Sequence, residues 1–238
     1  MTVDILAFGA HPDDVELSAS GTILKHIAQG KTAAIVDLTQ GELGSRGTID
    51  TRFAEAEEAS KILGLTAREN LKMADGFFEL SQANKLKIVE QIRRFRPKVI
   101  LANATSDRHP DHGRGSELVR DAVFLAGLAK IETNWNGERQ LPYRPKSLFF
   151  YVQDRYIKPD FTVDVTDFID EKIASIQAYK TQFYNPDSKG PITPISSKEF
   201  FEFLKGRWRD FGRNIGVEYA EGFTTERIPG VDDITRLL

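Results

Sequence analysis

Two copies of a short His-Pro-Asp phrase, each directly after a strand-like apolar run, place the strongest constraint on the fold of this chain. The copies contain three of the four histidines and read His11-Pro12-Asp13-Asp14 and His109-Pro110-Asp111-His112. Proline is favoured at the first position of a helix, so each phrase predicts a strand end, a turn at the histidine and a helix that begins at the proline. Residues three apart there face the same side, so we expect His11 beside Asp14 and His109 beside His112.

Together, the two phrases contain the side chains of a catalytic metal site. Such a site needs three ligands, an open position for water and a nearby acid or base. Each phrase forms a corner between its strand and its helix. The two corners would supply two imidazoles and one carboxylate, which predicts His11, Asp14 and His112 as ligands. A single phrase of this type would usually only cap a helix, so the prediction depends on the presence of two copies.

Short apolar runs alternate with helix-like segments through the first 131 residues. The patterns predict strands at 3–9, 33–38, 70–73 and 98–103 and helices at 18–29, 52–63, 85–95 and about 113–131. This alternation predicts an α/β fold, a Rossmann-like and mostly parallel sheet with helices on both faces. Ligands of such sheets bind beyond the carboxyl ends of the strands, where both phrases fall.

The part of the chain after about residue 140 is less regular, but we expect residues 1–238 to form a single domain. Its patterns predict strands at 147–153 and 160–165 and helices at 168–183 and 199–211. Residues 184–197 are rich in Pro, Gly and Ser, which predicts a surface loop that could act as a lid.

Composition excludes several classes of function. Lys and Arg are scattered in a chain of formal net charge -3, so we expect no nucleic-acid partner. Apolar runs fall short of the roughly 20 residues that span a bilayer, and the first residues lack a signal-peptide pattern, so we expect a cytoplasmic protein without a membrane partner. The chain has no cysteine, so a metal must be held by His, Asp and Glu.

Chemical roles for the remaining polar residues of the phrases follow from metal-assisted hydrolysis. Zinc lowers the pKa of a bound water toward about 7, and a carboxylate beside that water can take its proton and return it to a leaving amine. Asp13 is the candidate for this role. His109, as an imidazolium held by Asp111, is the candidate for stabilising an oxyanion opposite the metal.

The string 10–16 together with 109–112 resembles the PIG-L/LmbE-like family of zinc-dependent N-acetylglucosamine deacetylases. Further strings are similar to the bacillithiol-pathway branch, the N-acetyl-α-D-glucosaminyl L-malate deacetylases. These strings are 39–48, Arg52 with Glu55-Ala56, Asp75-Gly76 and 219–223. The resemblance implies the LmbE-like fold, a small-molecule sugar conjugate as substrate and a homo-oligomer, either a trimer or a hexamer.

The same resemblance implies a role for each matching residue. It places Zn²⁺, or Fe²⁺ or another divalent metal, on His11, Asp14 and His112, with Asp13 as general base and acid. His109 would stabilise the oxyanion, steered by Asp111. Residues implied at the substrate are Arg52, Arg108, Glu42 and Asp75. The chain departs from the pattern at Tyr179, since relatives often carry a histidine there.

Other functions stay open at this point. A rival deacetylase would act on a different N-acetylglucosaminyl compound, such as a chitooligosaccharide or an antibiotic intermediate. Two histidines and one carboxylate also suit a non-haem Fe(II) oxygenase. A sugar-binding domain that has lost turnover is the non-enzymatic alternative, although the candidate base Asp13 is present.

Overall fold

The computed structural model describes residues 1–187 and 190–237. Within them, seven strands form one sheet and two short strands form a separate hairpin. The nine strands are β1 (Ile5–Gly9), β2 (Ala33–Thr39), β3 (Ala67–Met73), β4 (Val99–Ala102), β5 (Asn134–Trp135), β6 (Glu138–Arg139), β7 (Ser147–Tyr151), β8 (Phe161–Asp164) and β9 (Ala220–Thr224).

The large sheet has the strand order β3-β2-β1-β4-β7-β9-β8. Its first five strands run parallel, and β9 runs antiparallel to both β7 and β8. The predicted Rossmann-like, mostly parallel sheet is therefore confirmed. β1 and β4 are neighbours, with Leu6 beside both Ala34 and Ile100, so the two phrases follow adjacent strands at one edge of the sheet.

Helices cover both faces of the sheet, as predicted. They are α1 (Asp14–Ala28), α2 (Ile49–Leu63), α3 (Gln82–Phe95), α4 (Pro110–Ala126), α5 (Ile169–Gln177) and α6 (Lys198–Arg213). Leu6 and Phe8 of β1 pack in one buried cluster with side chains of α3 and α4, whereas Ile5 and Ala7 pack in a second cluster with α1. The two phrases thus lead into helices on opposite faces, which opens a crevice between them.

Several helix boundaries differ from the prediction, and three of the differences have a clear physical reason. Helix α1 begins at Asp14 rather than at Pro12, because Asp13 adopts a left-handed backbone with a φ of 118°. Helix α4 begins at Pro110, as the proline rule predicts, but ends at Ala126, where the Arg93 guanidinium binds the Ala126 carbonyl oxygen. Helix α5 ends at Gln177 rather than near residue 183, and the Thr181 backbone beyond it donates to the Glu55 carboxylate.

Strand β9 and the β5–β6 hairpin were not predicted from the sequence. The β9 segment, Ala-Glu-Gly-Phe-Thr, lacks the β-branched run that marks a strand, yet it pairs with both β7 and β8. Among the described residues, none of the helices combines the length and the apolar character that a membrane span requires.

Candidate active site

The first corner, after β1, presents His11, Asp13 and Asp14 at the start of α1. The backbone N–H of His11 donates to the Asp14 carboxylate over 2.9 Å, which closes the turn. Asp13 occupies the position before the helix with a positive φ that non-glycine residues rarely adopt. Strain of this kind persists only where the surroundings enforce it, and it is frequent in active sites.

The second corner, after β4, presents His109 and His112 at the start of α4. His109 is the residue before the helix, and its Nδ1 accepts from the backbone N–H of Asp111 at 3.2 Å. His112, one turn into the helix, shares a short hydrogen bond between Nδ1 and the Asp107 carboxylate. Asp107 was not predicted as a site residue, because its position shows no spacing signal.

The fold brings the two corners into contact. The His11 ring lies 4.6 Å from that of His109 and 5.7 Å from that of His112, between ring centroids. Asp14 lies between two of the imidazoles, with oxygens 3.6 Å from His11 Nδ1 and 3.1 Å from His112 Nε2. The three predicted ligands are therefore adjacent.

Electrostatics keep the Asp14 carboxylate ionised. Burial alone would raise the pKa of Asp14, but the imidazoles of His112 and His11 outweigh burial and hold this pKa well below its usual value. The amides of Asn103 and Gln153 also donate to its oxygens, at 2.9 and 3.2 Å. Neither amide was predicted, since each is a single polar residue at the end of a strand.

Both phrase histidines that flank Asp14 are protonated more readily than usual. Burial lowers the pKa of His112, but the carboxylates of Asp14 and Asp107 outweigh burial and raise this pKa to about 9. The pKa of His11 is also well above its usual value, because hydrogen bonds to Asp111, Asp14 and Asp75 outweigh burial. A positive metal ion would take the place of these protons.

Asp13 faces Arg52 rather than a metal ligand. An Arg52 Nη2 donates to an Asp13 oxygen over 3.0 Å, and both side chains are buried. Burial raises the pKa of Asp13 to about 7, although the Arg52 charge lowers it in part. The sequence placed Arg52 at the substrate, whereas the structure also makes it the partner of the candidate base.

The Asp111 carboxylate has partners other than the His109 ring. It accepts from Arg114 and from the backbone N–H of Gly76 and lies 3.5 Å from His11. Burial and the nearby His11 and His112 lower the pKa of His109, so its imidazole is neutral in the metal-free protein. Asp111 therefore contacts His109 through its backbone N–H, which donates to Nδ1. Because Nδ1 accepts this hydrogen bond, the neutral ring carries its proton on Nε2.

The residues implied at the substrate have different surroundings. Asp75 lies 3.0 Å from His11 Nε2, and the Glu42 carboxylate accepts from the backbone of Asp75. Arg108 donates to the Asp154 carboxylate over 2.9 Å. Tyr179 is fully buried, and its hydroxyl binds Glu16.

A pocket of about 360 Å³ opens above the two corners. Among the described residues that line it are both corners, Arg52, Asp75 and Arg108, but neither Glu42, Asp111 nor Tyr179. It is also lined by residues 193–195 and by Phe200, Leu204, Arg207, Trp208 and Phe211 of α6, most of which are apolar. The predicted loop at 184–197 thus borders the pocket, and its role as a lid stays a prediction.

The donor atoms at the floor of the pocket fit a divalent metal. In the described residues, one ligand atom from each of His11, His109 and His112 falls within 4.8 Å of the others, and the same is true of His11, Asp75 and Asp111. The predicted set takes its two imidazoles from the first group and adds Asp14. Imidazole nitrogens with carboxylate oxygens are the ligands of zinc and of iron(II) in proteins.

Histidines and carboxylates lie where two adjacent parallel strands of a Rossmann-like sheet end. This arrangement defines the class of the protein: an α/β protein with a candidate metal site at the crevice of its sheet. The PIG-L family model, described as GlcNAc-PI de-N-acetylase, matches residues 6–123. The chain belongs to this family of deacetylases.

Known relatives extend the similarity beyond the matched segment. A diacetylchitobiose deacetylase of Thermococcus kodakarensis is 26% identical over 238 residues, covering 95% of this chain and 84% of the relative. A probable N-acetyl-alpha-D-glucosaminyl L-malate deacetylase 2 of Bacillus anthracis is 25% identical, with 75% and 81% covered. A conserved protein of Thermus thermophilus, known from its crystal structure, is 38% identical, with a TM-score of 0.86 and 97% and 98% covered.

Proposed function

We propose that this protein hydrolyses the N-acetyl group of an N-acetylglucosaminyl conjugate, and that the conjugate is N-acetyl-α-D-glucosaminyl L-malate. The observation that carries the proposal is the meeting of two corners at one pocket, with Asp14 between His11 and His112. The relative from Bacillus anthracis supports the malate conjugate. The relative from Thermococcus kodakarensis favours the rival substrate, a chitooligosaccharide.

His11, Asp14 and His112 would hold one divalent metal in this protein. Two imidazoles and one carboxylate suit zinc, with iron(II) as the alternative. When bound, the metal supplies a Lewis acid, which lowers the pKa of a water molecule and polarises the acetyl carbonyl. Asn103 and Gln153 keep Asp14 oriented, and Asp107 does the same for His112.

Asp13 would move the proton of the reaction. Its carboxylate takes a proton from the attacking water and returns it to the sugar nitrogen as the bond between that nitrogen and the acetyl carbon breaks. The hydrogen bond from Arg52 fixes the carboxylate for this transfer. The products are acetic acid and a free amine, which become acetate and an ammonium group at neutral pH, so atoms and charges balance.

His109 would stabilise the negative charge that develops on the acetyl oxygen. The backbone N–H of Asp111 occupies Nδ1, so Nε2 carries the proton and can donate it to that oxygen. Asp111 would contribute by fixing the ring through its backbone, while its carboxylate holds Arg114 and the loop at Gly76.

The two alternatives from other classes have less support. Non-haem iron oxygenase sites commonly lie in antiparallel double-sheet barrels, whereas this pocket lies beyond parallel strands. A sugar-binding domain without turnover would have no need of a strained, buried Asp13 paired with Arg52.

Acetate release from a panel of N-acetylglucosaminides tests the proposal. The panel contains the malate conjugate, diacetylchitobiose and the methyl glycoside, each with metal-loaded protein. We expect acetate from the malate conjugate with the highest kcat/KM. A preference for diacetylchitobiose would reject the malate assignment alone, and the absence of acetate from all three would reject the deacetylase.

A further inference from the structure

Helix α6 brings into the pocket a guanidinium that no sequence pattern indicated. Arg207 lines the pocket, and one of its Nη atoms donates to the backbone carbonyl oxygen of Asp154. Its other Nη atom, Nη1, is shielded from solvent and has no hydrogen-bond acceptor among residues 1–187 and 190–237. A shielded charged N–H without an acceptor is costly, which indicates that an acceptor is missing.

The two cations that were predicted at the pocket have carboxylate partners. Arg52 binds Asp13, and Arg108 binds the Asp154 carboxylate. Within the described chain, Arg207 forms no ion pair within 4.0 Å, so its charge is less compensated than the charges of Arg52 and Arg108. Arg207 and Arg108 contact the same residue, Asp154, the former at its backbone carbonyl oxygen and the latter at its carboxylate, and Arg108 directly precedes His109.

The surroundings of Arg207 define the chemistry of what it would bind. Leu204, Trp208 and Phe211 of the same helix line the pocket beside it, so the carbon skeleton of a ligand would lie against an apolar surface. The Asp154 carboxylate, which would repel an anion, is neutralised by Arg108. A group with a short carbon skeleton and a terminal carboxylate fits this wall.

We propose that Arg207 is a specificity-determining residue, whose Nη1 binds a carboxylate oxygen of the aglycone after a small rotation of its side chain. The inference rests on the proposed function, because it names the residue that selects a carboxylate-bearing aglycone for the same pocket. Arg207 has no part in the proton transfers. Its loss therefore raises KM for the charged substrate and leaves kcat nearly unchanged.

The test compares two substrates that differ only in charge, the malyl N-acetylglucosaminide and its diamide. The variants are Arg207→Gln and the control Arg209→Gln, which removes an exposed arginine of the same helix that contacts Tyr219 and Glu218. We expect Arg207→Gln to raise KM for the malyl substrate roughly tenfold or more, with the diamide unchanged. Arg209→Gln should change neither KM. Equal losses on both substrates, or no loss on either, would overturn the proposal.

A binding measurement separates this inference from the proposed function. Calorimetry with the malyl glycoside and its diamide should show tighter binding of the malyl compound by the wild type and equal binding by Arg207→Gln. If the wild type releases no acetate, the proposed function fails, and this comparison still decides the role of Arg207. If Arg207→Gln does not fold, Arg207→Lys should weaken binding of the malyl compound alone, and weakening of both ligands would contradict the inference.

Discussion

At the scale of single residues, two of the three candidate metal ligands are fixed by further polar groups. Asn103 and Gln153 hold Asp14, and Asp107 holds His112. Partners of this kind set the orientation and the protonation of a ligand, and their loss typically costs about 10- to 100-fold in metal affinity or activity. The candidate base has a separate partner, Arg52, so the metal site and the proton relay have separate supports.

The first prediction concerns Asp13. Asp13→Asn should keep the metal, because Asp13 is not a proposed ligand, and should lose activity by a factor of about 100 to 10,000. Metal content and acetate release are measured on the same sample. Asp170→Asn, an exposed carboxylate of α5 away from the pocket, is the control. Near wild-type turnover in Asp13→Asn would place the base elsewhere.

The second prediction concerns pH. The pKa of His112, about 9, lies above its usual value, so the metal-free protein carries this proton at pH 7 and gains stability from it. That stability is complete below about pH 6.5 and is lost as pH rises through about 9. Metal binding requires a neutral imidazole and must release the proton.

Apparent metal affinity should therefore rise about tenfold per pH unit for each proton released, up to about pH 9. Calorimetric titration of metal-free protein in buffers of different ionisation enthalpy counts these protons. His26→Ala, which removes a histidine whose ring hydrogen-bonds to the Thr22 carbonyl oxygen of the same helix, should behave like the wild type. Affinity that is constant from pH 7 to 9 would contradict the assignment of His112.

At the scale of secondary-structure elements, the loop after β2 determines where Arg52 can lie. Gly41 in this loop has a φ of +65°, and a Cβ atom there would come within 1.8 Å of an Arg52 Nη atom. The loop backbone and the start of α2 thus hold the guanidinium against Asp13. The glycine at this position serves the site through both its φ and its lack of a side chain.

The third prediction compares Gly41→Ala with Gly30→Ala. Both positions have a positive φ, which costs an alanine about 1 to 2 kcal/mol, but a Cβ at Gly30 meets nothing within 4 Å. Gly30→Ala should lose about this much stability in urea unfolding, and Gly41→Ala should lose more, because it also separates the buried Arg52 from Asp13. Only Gly41→Ala should also lose activity, roughly tenfold or more, because Arg52 leaves Asp13. Equal activity in the two variants would show that this contact does not matter.

The parallel strands could be predicted from the sequence because buried runs such as those at Ile5–Gly9 and Ala33–Thr39 are nearly all apolar. Both corners could be predicted because proline and the i, i+3 spacing are local signals. Strand β9 and the end of α5 depend on tertiary pairing, the latter on the bond between Thr181 and Glu55. The helix α6 itself could be predicted, but Arg207 reaches the pocket through the way this helix packs, and its own segment contains no signal for that packing.

At the scale of the whole molecule, a buried ion pair joins the C-terminal part to the first helix. Lys172 of α5 and Glu221 of β9 are fully buried and 2.7 Å apart, and Glu221 accepts from the backbone of Gly21 and Thr22 in α1. Lys172 also donates to the carbonyl oxygens of Glu16 and Leu17. The less regular part beyond about residue 140 is thereby joined to the same helix that carries Asp14.

The fourth prediction is that Lys172→Met destabilises the protein by about 3 to 5 kcal/mol, because it leaves the Glu221 carboxylate buried without its cation. Urea unfolding measures this loss. Lys172→Met combined with Glu221→Gln, which removes both charges, should recover part of it.

A single transition is expected for the wild type if residues 1–238 fold as one domain, and two separate transitions would contradict the single domain.

If the two corners share one metal ion, the loss of His112 must release it, and metal analysis of His112→Ala measures this. The wild type should contain one divalent metal per chain by elemental analysis, and so should the control His26→Ala. His112→Ala, with unfolding and circular dichroism to show that it is folded, should retain about one-tenth of the metal or less, since it lacks one of three ligands. Undiminished metal in folded His112→Ala would show that His112 is not a ligand and that the two corners do not share a metal ion.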